Sequence, residues 1–220
     1  MRRTFLIVAA ALVLLPTLAH ADEFAAFADK EPVRARDLGV YLWAKDGACS
    51  DARDQADELA CREVAKTLSD RVANRTFFWR LDRDALSAGQ YDKRRKSMPI
   101  VVESCLACGG IDAGGGPVVV IGRTGASSTP QPLRSTTKVF SSAAKAERWE
   151  RESLPRLVGE YLFRIPRTLE RVKVGDQKGV YVDVRAYRIY DRCTGEVVSA
   201  KPKSGPVKVY PGKDCKGGAR

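Results

Sequence analysis

The chain has 220 residues, 44% hydrophobic and 30% charged, an ordinary globular balance that excludes intrinsic disorder. Lys and Arg number 38 against 27 Asp and Glu, and the one histidine is His20. If residues 1–21 are removed as a leader, the remaining 199 (220 less 21) carry no histidine. That excludes a Ser-His-Asp triad, a Cys-His protease site, a His-ligated zinc and a proximal-histidine haem.

The leader reads from the first residues. Met1-Arg2-Arg3 is cationic, Thr4 to Leu18 is an apolar run broken at Pro16, and Ala19-His20-Ala21 fits the small-x-small cleavage rule. This predicts a signal peptide over residues 1–21 and a mature start at Asp22. Asp22 offers no thiol for a lipid anchor. Losing Arg2 and Arg3 takes 38 basic residues to 36 against 27 acidic, a surplus of +9. After Leu18 no apolar stretch approaches the roughly 20 residues of a membrane helix, so no transmembrane anchor is expected after cleavage.

Residues 22–36 show mixed charge without period and read as an arm or loop. Val40-Tyr41-Leu42-Trp43-Ala44 is β-branched and aromatic and reads as a strand. Ala52, Ala56, Leu59, Ala60, Val64, Leu68 and Val72 then recur at helical spacing. Cys49 and Cys61 limit where that helix starts. Nine residues of helix from Ala52 to Cys61 rise about 14 Å, three residues back to Cys49 span at most about 10 Å, and a disulfide needs Cα atoms within about 7 Å. If the two pair, the helix begins later, capped by Asp54 or Asp57.

Thr76 to Leu81 reads as a strand, and Lys93, Arg94, Arg95 and Lys96 follow as a solvated basic run, the candidate anion contacts. Pro99 to Glu103 and Pro117 to Ile121 are continuous apolar runs suited to central strands. Between them lies Cys105-Leu106-Ala107-Cys108. A redox pair needs a helix N-terminus behind its first Cys, and Gly109-Gly110 through Gly114-Gly115-Gly116 is a poor helix nucleus. A structural disulfide is the reading, and the glycines form a flexible connection. Because they lead into a strand rather than a helix, they are not a phosphate loop either.

Residues 122–138, rich in Gly, Ser, Thr and Pro, read as a loop or linker. Ser141 or Ser142 caps a second helix to about Ser153, and Pro155 kinks it or opens a new segment, Leu157-Val158-Tyr161-Leu162-Ile165. Ser142-Ala143-Ala144-Lys145 has the Ser-x-x-Lys spacing of penicillin-recognising enzymes, and Lys203-Ser204-Gly205 resembles their third motif. The second motif is absent, so plain helix capping is preferred. Thr168 to Val174, a turn at 175–179 and Val180 to Tyr190 form a hairpin, with Val180, Val182, Val184 and Ala186 alternating as in a half-buried strand. Cys193-Thr194-Gly195 turns into the strand Glu196 to Ala200, and residues 201–220 form a loose tail that a Cys193–Cys215 bond would tie down.

The sum is an α+β fold with a mixed or antiparallel sheet and two principal helices, stabilised by disulfides, in one domain over 22–220. Cys49, Cys61, Cys105, Cys108, Cys193 and Cys215 permit 15 pairings; sequence proximity favours 49–61, 105–108 and 193–215. No metal-ligating cluster and no cofactor motif stands out.

The segment from Tyr181 through Asp191, Thr194-Gly195-Glu196 and on to Ala200 resembles the terminal hairpin of the curli-export lipoprotein family and of related penicillin-binding-protein activators. The order of a helix at 52–74, a strand at 76–82 and Asp82-Arg83-x-x-Leu86 is similar to theirs. The chain departs from that pattern in lacking the lipid-acceptor Cys and in inserting the helix at 142–153. The resemblance implies a non-enzymatic role in envelope assembly.

The expected function is therefore that of an exported soluble protein, periplasmic or secreted. It would bind an envelope protein or an anionic envelope polymer, with nucleic acid ruled out by compartment. The alternative is a small carboxylate-dependent enzyme acting on cell-wall glycan, because carboxylate chemistry survives the loss of histidine. Its candidates are Glu103, Glu150, Glu152 and Asp183. Glu150 and Glu152 alternate with Arg148 and Arg151 as on a solvated helix face, and Asp183 and Arg185 suit a cross-strand ion pair.

Overall fold

A computed structural model describes residues 23–28, 30–46, 49, 52–114, 116–125, 129–209 and 215. Its frame is one long strand, β9 (Gln177–Asp191). β7 (Leu157–Arg164) and β10 (Val197–Lys201) both pair antiparallel with residues 187–190 of β9, so they lie on its opposite sides. β5 (Pro117–Arg123) runs parallel to the first half of β9, and β8 (Arg171–Val174) forms the expected hairpin with its start. β1 (Phe77–Leu81) flanks β7, and β4 (Cys105–Asp112) flanks β5. The resulting order is β1-β7-β9-β5-β4, with β8 and β10 attached to β9. A second sheet holds β2 (Leu86–Ala88), β3 (Ser97–Val102) and β6 (Arg134–Val139).

The α+β class stands, with three disulfide-bonded cysteine pairs: 49–61, 105–108 and 193–215. The second sheet packs Ile100 and Val102 into the main core with Tyr161 and Tyr187, and turns Met98 towards Phe140 and Ala146 beside α3 (Ala143–Glu152). The long helix is α2 (Gln55–Val72). It starts late, with Asp54 as cap: Asp54 Oδ1 accepts from the Asp57 N–H at 2.8 Å. Residues 52–54 stay outside the helix, and the Cα atoms of Cys49 and Cys61 come within 6.0 Å.

Four local readings are corrected. Residues 40–44 are helical, inside α1 (Ala35–Asp46): Leu38 and Leu42, one helical turn apart, are buried in the core, and tertiary burial overrides strand propensity. Gly39 is where α1 meets β4, since a Cβ there would lie 2.0 Å from the Asp112 carbonyl oxygen. Residues 157–164 form a central strand, β7, buried along nearly its whole length; the helix stops before Pro155. Gly109 and Gly110 belong to β4, whose irregular register against β5 absorbs the positive φ of Gly110. Residues 134–139, which take up the end of the loop expected over 122–138, form strand β6, paired antiparallel with β3 from Ser97 opposite Val139 to Val102 opposite Arg134.

The half-buried reading of β9 is also too weak. Tyr181 and Ala186 are buried on the face opposite Val182 and Val184, while a bulge opposite Leu162 and Phe163 returns Tyr187 to the Val184 face, so both sides of the strand are covered. The arm is docked: Phe24 is buried against Leu162 and Ala186, and the Val33 N–H donates to the Phe78 carbonyl. The tail is held where Val207 N–H donates to the Gly195 carbonyl at 2.9 Å. The leader, Asp22 and most of residues 210–220 lie outside the described residues.

Candidate binding site

None of the four carboxylates singled out from sequence lines either of the two clefts described below. Glu103 accepts from Ser87 Oγ at 2.6 Å, Glu150 is exposed, and Glu152 pairs with Arg151 on the solvent face of α3. Asp183 does form a cross-strand pair, with Arg123 at its register position on β5 (3.1 Å) rather than with Arg185. Glu170 makes a two-pronged pair with the same guanidinium, and that hydrogen bonding holds the Glu170 carboxyl below its usual range.

Two buried carboxylates were not visible in sequence, Glu160 and Asp191. Asp191 Oδ1 accepts from the N–H groups of Cys193 and Thr194, and its Oδ2 accepts from Arg156 at 2.9 Å. It therefore builds the turn into Thr194-Gly195-Glu196. Gly195 is required there: its φ is +73°, and a Cβ would lie 2.0 Å from the Val207 carbonyl oxygen. Glu160, on β7, lies beneath a cleft of about 740 Å³ walled by Arg80, Arg188, Arg192 and Lys208. Its Oε2 accepts from Arg188 Nε at 2.7 Å and its Oε1 from the Tyr190 hydroxyl at 2.9 Å. Burial first, then the charge and hydrogen bond of Glu160, push the Tyr190 hydroxyl up to about 12. Both oxygens of Glu160 are thus already engaged by protein donors, whereas a general acid has to present one to its substrate.

The basic run Lys93 to Lys96 sits on an exposed turn. Asp92 Oδ1 accepts from the backbone N–H groups of Arg94 and Arg95, which holds its own carboxyl below the usual range. The four side chains line neither of the two clefts described here.

A second cleft, of about 770 Å³, opens between the two sheets. β6 is an edge of the small sheet, and β10 is paired to β9 alone. The two edges face each other without pairing. Arg134 Nη1 crosses to donate to the Ala200 carbonyl at 3.3 Å, and Lys138 reaches Glu196 at 3.6 Å, so β6 and β10 run in opposite directions. Ile100, Leu133 and Tyr187 back the slot, and Lys201 and Lys203 stand at its rim. Lys201 and Lys203 are exposed, with no acidic partner among the described residues.

Tyr187 and Ser199 line this slot; their hydroxyls are closed to solvent and find no protein partner, as is true of those of Tyr161 and Tyr181 away from it. Leaving such a group unpaired costs about 1–3 kcal/mol. The sequence carried little sign of this site, because β6 falls in a Gly/Ser/Thr/Pro-rich stretch and the slot joins strands over 60 residues apart. Searches for a matching protein family, characterised protein or solved structure find none for this chain.

Proposed function

We propose that this chain is an exported periplasmic binding protein with a non-enzymatic part in envelope assembly, and that the slot between β6 and β10 is its binding site. The observation that carries the reading is the slot: a cationic opening over an apolar floor of Ile100, Leu133 and Tyr187, between two strand edges that do not pair. Arg134, Lys138, Lys201 and Lys203 favour an anionic envelope component. The Thr194-Gly195-Glu196 turn, which prompted the resemblance to envelope-assembly domains, leads directly into β10. Disulfides and a cleavable leader suit an oxidising compartment.

The test has two parts. Intact-mass analysis of the periplasmic fraction is expected to show Asp22 as first residue; retention of Met1 would contradict export by cleavage. The mature protein is expected to retain an anionic component from envelope extract that about 0.5 M salt releases, within the screening regime of surface charge. Lys201→Glu with Lys203→Glu should lose it. Equal retention by the variant would remove the slot from the account.

The reading of a carboxylate glycan enzyme keeps one observation, the buried Glu160 beneath the other cleft. Peptidoglycan hydrolysis abolished by Glu160→Gln would establish that reading instead.

A further inference from the structure

The anionic occupant of the slot has a shape as well as a charge. We propose that it is an extended acidic segment of a partner protein, added as a strand to the free edge of β10; this rests on the binding reading above.

In an antiparallel ladder the N–H and C=O of one residue point to the same side of the strand, and successive residues alternate sides. The Ala200 carbonyl accepts from Arg134, across the slot, so Ala200 turns its backbone polar groups away from β9. An edge of this kind is a template for another strand. Arg134 at present covers the acceptor that an incoming backbone N–H would take.

The dimensions follow from β10 itself. Its 5 residues extend about 17 Å at roughly 3.3 Å each, which suits a segment of about five residues. Because β6 and β10 run in opposite directions, the added strand lies parallel to one wall and antiparallel to the other. Its side chains alternate. Ser199 and Lys201 share the sheet face that holds Tyr187, so the set on that face meets both the apolar floor and the Lys201 ammonium. With Lys203 and Lys138 also lining the slot, Asp or Glu is favoured in the segment.

Edge lysines also serve to deter unwanted pairing, and that role accounts for the charge. It does not account for an apolar floor of Ile100, Leu133 and Tyr187 left open between two unpaired edges. Nor does it account for a backbone acceptor covered by a side chain alone.

The experiment uses the mature disulfide-bonded protein and a display library of random linear dodecapeptides, with lipopolysaccharide micelles as a parallel probe. Enrichment of extended sequences rich in Asp or Glu is expected. The selected peptide should slow amide exchange at least tenfold at residues 198–200. Its affinity should fall about tenfold in Lys201→Glu/Lys203→Glu, the order expected for reversing two rim charges. Ala200→Pro, which removes an outward backbone donor, should weaken it further, and the charge variant serves if the proline disturbs folding. No enriched sequence, or protection confined to other strands, overturns strand addition. Lipopolysaccharide that binds at the slot while no peptide does also overturns it and leaves the binding reading standing. If neither probe binds, both readings fall.

Discussion

Glu160→Ala removes a carboxylate on β7 and leaves its partners in place. Arg188 then loses its Nε acceptor at 2.7 Å while its side chain is only 14% exposed, and the Tyr190 hydroxyl loses its acceptor at 2.9 Å. Breaking a buried pair on one side costs about 3–5 kcal/mol, because the remaining charge stays out of water. For a domain of this size each kcal/mol moves Tm by about 2–4 °C, so a fall of roughly 6–20 °C is expected in calorimetry. The double variant Glu160→Leu/Arg188→Met removes both charges and keeps a flexible apolar side chain against Phe24, on which Arg188 now stacks at 4.3 Å. It should recover most of the loss, since replacing a whole buried pair by apolar groups is often neutral. A Glu160→Ala protein melting within 3 °C of wild type would refute the reasoning. So would a double variant no more stable than the single one.

Gly195→Ala forces a Cβ into the Val207 carbonyl and strains a φ of +73°, so it should free residues 201–209 from the Thr194-Gly195-Glu196 turn; limited proteolysis should cut there faster than in wild type. The depressed Glu170 carboxyl contributes stability that is present above its unfolded value of about 4.3 and lost as pH falls through its folded value. Glu170→Gln should therefore flatten the acid limb of a Tm-against-pH curve, and an unchanged limb would exclude Arg123 as the cause. The Cys193–Cys215 bond joins residues 22 apart in sequence, and Cys193→Ser/Cys215→Ser is expected to cost about 3 kcal/mol in denaturant unfolding.

Where the signal was local, the sequence showed the structure. Asp54 caps α2 because Cys49 and Cys61 have to meet, and both constraints lie within a few residues of each other. The β8–β9 hairpin followed from a Gly-bounded turn between β-branched runs. Where burial came from distant partners, it did not. Val40 to Ala44 has strand composition, yet α1 forms because Leu38 and Leu42 share a face against the sheet. Leu157 to Ile165 carries apolar residues that suit either period, and only its place between β1 and β9 decides for a strand.

The candidate sites were hidden for the same reason. Glu160 meets Arg188 from 28 residues away, and Asp191 meets Arg156 from 35. Neither pairing leaves a motif. The slot is an arrangement of two strand edges whose residues lie over 60 positions apart in the chain.

The central claim is that the slot between β6 and β10 binds. Among the described residues no cysteine is free, so Thr136→Cys introduces a single reactive thiol on the β6 wall. The decisive measurement is retention of the envelope component by that variant before and after attachment of a bulky maleimide. The account predicts retention by the unmodified variant, loss after modification, and full retention by Glu160→Gln. Undiminished retention by the plugged protein would contradict it.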